Sequence, residues 1–172
     1  MEDFLNQTFY HAIDPADELF CHNVKIANGR IIAVSFLKAG DPNLVGALSP
    51  YQAFTRERPK EDVFEHIRAK GFPNCPSRLG AIFLFDDPDL ANKANATWWH
   101  GKRVVLPANV IEARSIGCYD SKHLDTSAHE WENAARKYWS GILTVNPTPE
   151  VLVNGIVQLY GWEPYACLLS SK

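Results

Sequence analysis

The sequence predicts an α+β fold, a mixed or antiparallel sheet with flanking helices. Three observations predict it. Strand-like and helix-like stretches interleave along the chain. Two strand-like stretches also follow each other with no helix between them, which a series of parallel crossover units would not allow. No internal repeat, low-complexity tract or linker divides the chain. Its 172 residues suit one domain with a real core, so residues 1–172 are expected to form a single domain.

The elements follow in order. Residues 7–13 read as a strand. Asp14-Pro15 reads as an N-cap with proline at the first helical position, opening a helix through Phe20. Asn28-Gly29 signals a turn, and residues 30–36 are apolar enough for a strand or a short buried helix. Residues 38–60 hold several proline and glycine breaks and read as loop, a candidate cover for a site. Residues 61–70 read as a helix with Val63, Phe64 and Ile67 on one face and Gly71 as its stop. An irregular stretch at 72–78 leads to a strand at 79–85. Asp86-Asp87-Pro88 then opens a helix carrying Leu90, Ala91, Ala94 and Trp98. Residues 103–107 and 110–114 read as two strands joined by a turn at Ala108-Asn109. Ser127 and Glu130 form a capping-box pattern for a helix through Trp139, with Trp131, Ala134, Ala135 and Tyr138 as its apolar face.

The last element is a strand. Pro147 and Pro149 disfavour a helix, and Val151, Leu152, Val153, Ile156 and Val157 favour extended chain, with a kink or bulge near Asn154-Gly155. Glu150 stands at its entrance. A carboxylate there is costly unless it faces a cleft or finds partners.

Charge and motifs exclude several classes. Net charge is −3, from 17 Lys+Arg against 20 Asp+Glu, which is not the basic footprint of a duplex-binding protein. A basic cluster of Arg56, Arg58, Lys60, Arg68, Lys70 and Arg78 is interleaved with Glu57, Glu61, Asp62 and Glu65, and reads as a solvated mixed-charge face. Cys21, Cys75, Cys118 and Cys167 are scattered, which argues against a zinc site or a disulfide framework and suits thiols in a reducing cytosol. His123 and His129, with Asp120 and Asp125, match no standard metal spacing, so no metal is expected. Glycine-rich phosphate loops and the nucleophile-elbow motif are absent. The N-terminus lacks a signal-type apolar run and no window reaches membrane-spanning length, so a protein without membrane association is expected, in the cytoplasm or at a destination reached by a route the sequence does not show.

Three stretches carry a resemblance. They are Phe9-Tyr10-His11-Ala12 on the first strand, the run from Arg78 to Phe85 followed by a helix with Ala91 and Ala94, and Glu150-Val-Leu-Val153 on the last strand. In this order they resemble the ADP-ribosyltransferase superfamily, in the His…Glu branch that includes poly-ADP-ribose polymerases and bacterial nucleic-acid-modifying toxins. The resemblance implies a split sheet, NAD as co-substrate and no metal. It implies that Glu150 is the catalytic carboxylate and that His11 contacts a ribose of NAD. Tyr10, Ser77, Arg78, Phe83 and Phe85 would complete the NAD contacts, with Arg78 as a bidentate donor to the pyrophosphate and the two phenylalanines beside the nicotinamide. The sequence departs from the polymerases where they place a tyrosine in the middle strand: Phe83 and Phe85 stand there instead, and Trp98 or Trp99 would supply ring stacking.

The implied activity is transfer of ADP-ribose from NAD to a macromolecule, RNA, DNA or protein. A small transferase of this kind resembles a toxin or phage-defence effector, which an inhibitory antitoxin protein would silence. Two alternatives stay open: an NAD glycohydrolase on the same fold, and a catalytically silent binding module.

Overall fold

A computed structural model of the chain describes Phe4 and residues 6–165. The fold is α+β, an open antiparallel sheet with flanking helices. Its strands are β1 (Thr8–Ile13), β2 (Arg30–Ile32), β3 (Ile82–Leu84), β4 (Val104–Asp120) and β5 (Pro149–Leu159). Their order is β1-β4-β5-β2, with β3 also paired to β5. β1 runs antiparallel to β4, placing His11 opposite Leu106, and β2 runs antiparallel to β5, placing Ile31 opposite Val157. The helices are α1 (Glu18–Ile26), α2 (Val34–Gly40), α3 (Pro50–Phe54), α4 (Arg58–Gly71), α5 (Pro88–Trp99) and α6 (Trp131–Trp139). No helix among the described residues is long and apolar enough to cross a membrane. Cys167 lies outside the described residues.

The chain divides into two compact units. The first comprises Met1–Ile32, Leu84–Glu112 and Ile156–Lys172. Here α5 packs on β1 and forms a small core from Phe85, Ala91 and Ala94. Asp87 caps α5 by accepting from the Leu90 amide at 2.8 Å, and Pro88 takes the first helical position, as the sequence predicts. The expected cap at Asp14 is corrected. Its carboxylate turns onto the Ala16 amide at 2.9 Å, and Asp17 caps α1 instead, accepting from Phe20 at 2.9 Å. An Asx turn competed successfully for the donor. Gly29 joins α1 to β2 with φ of +83°, and a Cβ there would lie 2.4 Å from the Trp162 indole nitrogen.

The expected turn at Ala108-Asn109 is also corrected. These residues lie in the ladder, opposite Phe9 and Thr8, within the unbroken 17-residue β4. Pro107 lacks an N–H, but its carbonyl accepts from the Tyr160 amide at 3.0 Å. Leu106, Ala108 and Val110 are all buried, so a period of two runs through the supposed turn, and sheet pairing overrides the local turn preference.

The second unit comprises Ala33–Phe83 and Ala113–Gly155. Helices α4 and α6 pack together over a core of Phe64, Ile67, Tyr119, Ala134, Ala135, Tyr138, Trp139 and Leu152. Each such large side chain contributes about 1.5–3 kcal/mol when fully buried. The Trp139 indole donates to the Phe64 carbonyl at 2.9 Å and fixes the α4–α6 contact. The capping box at Ser127 is not made. Its hydroxyl bonds the Glu130 carboxylate at 3.1 Å, no side-chain cap forms, and a 3-10 turn over Ala128–Glu130 precedes α6. The last strand, β5, runs unbroken from Pro149 to Leu159 through Asn154-Gly155. The Asn154 side chain accepts from Ser35 Oγ at 2.8 Å and the Gly155 carbonyl from the Ala33 amide at 2.9 Å, so both residues are occupied within the extended chain.

Candidate functional site: an arginine enclosed by two glutamates

Five side chains of the second unit converge in its interior. Arg78 sits on the turn before β3, where the Ser77 carbonyl accepts from the Gly80 and Ala81 amides at 3.1 and 2.9 Å. Glu61 comes from the start of α4, Tyr138 from α6, Tyr51 from the short α3, and Glu150 from the second position of β5. Ser49 holds α3 in place: it caps the helix at Gln52 and donates to the Leu79 carbonyl at 2.6 Å.

Arg78, Glu61 and Glu150 are 4%, 1% and 5% exposed. Arg78 Nε donates to both Glu61 oxygens at 3.1 and 3.3 Å. Its Nη1 donates to the Tyr138 hydroxyl at 2.8 Å and to Glu150 Oε1, and its Nη2 to the Tyr51 hydroxyl at 3.1 Å. Each phenol donates onward, Tyr138 to Glu150 Oε1 at 2.7 Å and Tyr51 to Glu61 Oε1. The guanidinium carbon also lies 5.2, 5.4 and 5.6 Å from the ring centres of Phe83, Tyr138 and Tyr51. An ion pair this deep is tolerated when its remaining donors and acceptors are met. Among the described residues no buried side-chain nitrogen or oxygen lacks a partner.

The electrostatics follow. Burial opposes the charge on Arg78, but Glu150, Tyr138, Glu61 and Tyr51 outweigh it and hold its pKa well above the ordinary value. Burial pushes the Tyr51 hydroxyl up to about 12; Arg78 opposes this shift and Glu61 reinforces it. Burial also raises the Tyr138 hydroxyl well above the ordinary phenol range. Both phenols therefore stay protonated and act as donors to the carboxylates. The site offers one fixed cation, two fixed carboxylates and two neutral donors.

The sequence-predicted residues fall in two groups. Glu150, Arg78 and Phe83 come together here. Ser77 lies beside them, donating to Glu65 Oε2 at 2.8 Å, and Glu65 in turn pairs with Arg68 at 2.8 Å. Tyr10, His11 and Phe85 belong to the first unit. Tyr10 pairs with Phe85 through both backbone groups, at 2.8 and 2.9 Å. His11 is half-buried on β1 with its ring 6.1 Å from that of Phe20. Phe85 is buried against Trp98 at 6.1 Å, and the Arg103 guanidinium lies 4.4 Å from the Trp99 ring. Phe83 and Phe85 thus enter separate clusters, although their alternation suggests one shared face.

The reading of residues 56–78 as a solvated face is corrected for Glu61 and Arg78, while Arg56, Arg58 and Lys70 are exposed. Glu61 precedes Phe64 by one helical turn and so shares its buried face; that spacing was the available signal. Tyr138 was legible as an apolar-face residue, and a buried tyrosine hydroxyl requires a partner. Tyr51 lies in a stretch with no periodic signal.

The sequence profile of DUF2441, described as a protein of unknown function, matches residues 37–162, most of the chain. The chain belongs to DUF2441. The part shared with the DUF2441 family contains Tyr51, Glu61, Arg78, Tyr138 and Glu150, whereas Tyr10 and His11 precede it. A search of curated proteins gives no match.

Proposed function

We propose that this DUF2441 chain is a NAD-dependent ADP-ribosyltransferase acting on a macromolecule, with Glu150 as its catalytic carboxylate. One observation carries the reading. Glu150 opens β5 as a buried carboxylate with Oε1 fixed by Arg78 and Tyr138, on the strand whose sequence resembles the catalytic strand of that superfamily.

Such a carboxylate suits the chemistry. The bond between ribose C1′ and the nicotinamide nitrogen breaks, and its electron pair stays on nicotinamide, which leaves neutral. An oxygen or nitrogen of the acceptor bonds to C1′ and releases its proton. Positive charge develops on the ribose between these events, and a carboxylate held in place stabilises it without reorganising. His11, Tyr10 and Phe85 enter the reading through the resemblance alone. So do a cytoplasmic setting, a role as toxin or phage-defence effector, and an inhibitory antitoxin partner.

The test is incubation with NAD labelled in its adenylate, together with lysate divided into nuclease-treated and protease-treated halves. Label lost to nuclease assigns a nucleic-acid acceptor; label lost to protease assigns a protein acceptor. NAD consumption without labelled macromolecule assigns a glycohydrolase. Glu150→Gln is expected to lower turnover on the order of a hundredfold or more; equal turnover with retained folding removes Glu150 from the mechanism.

One observation favours a second reading. The network closes on itself, and Glu150 is 5% exposed with Oε1 committed to two donors, an arrangement that also suits a structural ion cluster in a catalytically silent binding module. NAD binding by calorimetry without turnover in any lysate fraction would select it.

A further inference from the structure

We propose that Tyr138 and Arg78 are positioning residues for Glu150, holding Oε1 so that Oε2 is the oxygen presented to the ribose of NAD. This rests on the ADP-ribosyltransferase reading of the site.

The proton bookkeeping of the network supports it. A guanidinium has donors and no acceptor. The Tyr138 hydroxyl, 2.8 Å from Arg78 Nη1, must therefore accept from it, and its single proton is left to point at Glu150 Oε1, 2.7 Å away. Oε1 thus receives both the phenol and Nη1, and rotating the carboxylate breaks both bonds. Neither donor is loose. The Tyr138 ring is fully buried, stacked at 4.9 Å on Tyr119 and edge-on to Trp139 at 4.6 Å and Phe64 at 5.7 Å. Arg78 is anchored at its other edge by Glu61 through Nε. Among the described residues Oε2 takes no part in the network, whose bonds to Glu150 all reach Oε1. Tyr51 repeats the arrangement on the opposite side, accepting from Nη2 and donating to Glu61, so one phenol serves each carboxylate.

Tyr138→Phe keeps the ring and deletes one donor. Tyr51→Phe deletes the matching donor from Glu61. Both variants are first checked for folding by urea midpoint. With adenylate-labelled NAD and cell lysate, Tyr138→Phe is expected to lower kcat about tenfold or more with KM for NAD within about twofold. Tyr51→Phe is expected to lower kcat by at least about threefold less than Tyr138→Phe does.

A kcat for Tyr138→Phe within about twofold of wild type, or a loss that falls on KM and not on kcat, overturns the proposal. So do equal kcat losses in the two phenol variants, which would assign the network a structural role only. These outcomes leave the transferase reading intact. That reading fails separately if the wild-type protein consumes no NAD in any lysate fraction, and the positioning role falls with it.

Discussion

Replacing Arg78 with methionine tests the energetics of the enclosed cluster. The side chain keeps much of its volume and loses its charge. Glu61 and Glu150 then remain 1% and 5% exposed with no cation among the five residues. Removing one partner of a buried ion pair typically costs about 3–5 kcal/mol, because a charge stays buried without compensation. Here two carboxylates are left facing each other, so the upper end applies. A domain of ordinary stability holds about 5–15 kcal/mol in all. At about 2–4 °C per kcal/mol for a chain of this size, that upper end lowers Tm by roughly 10–20 °C.

Urea unfolding of both proteins at neutral pH measures the loss. A triple variant, Arg78→Met with Glu61→Leu and Glu150→Leu, is expected to recover most of the stability, since no charge remains to be compensated. A single variant within about 1 kcal/mol of wild type would refute the argument.

Two further predictions concern stability. Asp120 is buried, which opposes its charge, but the Thr144 hydroxyl and the Thr144, Thr148 and Lys122 amides donate to it at 2.7–3.0 Å and hold its pKa below the ordinary value. That contribution is present above the unfolded value of about 3.9 and is lost as pH falls through the lower folded value. Asp120→Asn is expected to cost about 1–3 kcal/mol at pH 7 and to flatten the loss of stability between about pH 4 and 2, read from urea midpoints. Gly29→Ala meets both a φ of +83° and the Trp162 nitrogen at 2.4 Å. A loss of roughly 1–3 kcal/mol or more is expected by thermal unfolding, and an unchanged Tm would show that this turn relaxes freely.

The elements most legible in the sequence are those where one local signal acts unopposed. Asp87-Pro88 starts α5 because cap and proline agree. The β-branched run after Glu150 becomes β5 because Val151, Val153, Ile156 and Val157 all favour extended chain. The failures come where a second partner competes. Asp14 and Ser127 each carry a good capping pattern and are captured by another near neighbour, the Ala16 amide and the Glu130 carboxylate, while the turn pattern at Ala108-Asn109 is overridden by the distant β1 ladder. The site divides in the same way. Glu150 was conspicuous because a carboxylate at the mouth of an apolar strand demands an explanation. Tyr51 and Glu61 become site residues through Arg78, which lies 27 and 17 positions away in sequence, and no local window spans such a contact.

The Asp120 carboxylate has a consequence for protein engineering. It pins the amides of Thr144 and Thr148, while neighbouring His123 bonds the Ile142 carbonyl at 2.7 Å and Ser121 the Thr148 carbonyl at 2.9 Å. Between these fixed points Val145 is 96% exposed. The segment is a handle riveted at both ends. Added length between Val145 and Asn146 leaves the rivets in place, and the cost of closing a longer loop grows only logarithmically with its length. An epitope or fluorescent reporter seated there would be displayed to solvent without loosening the core beneath it.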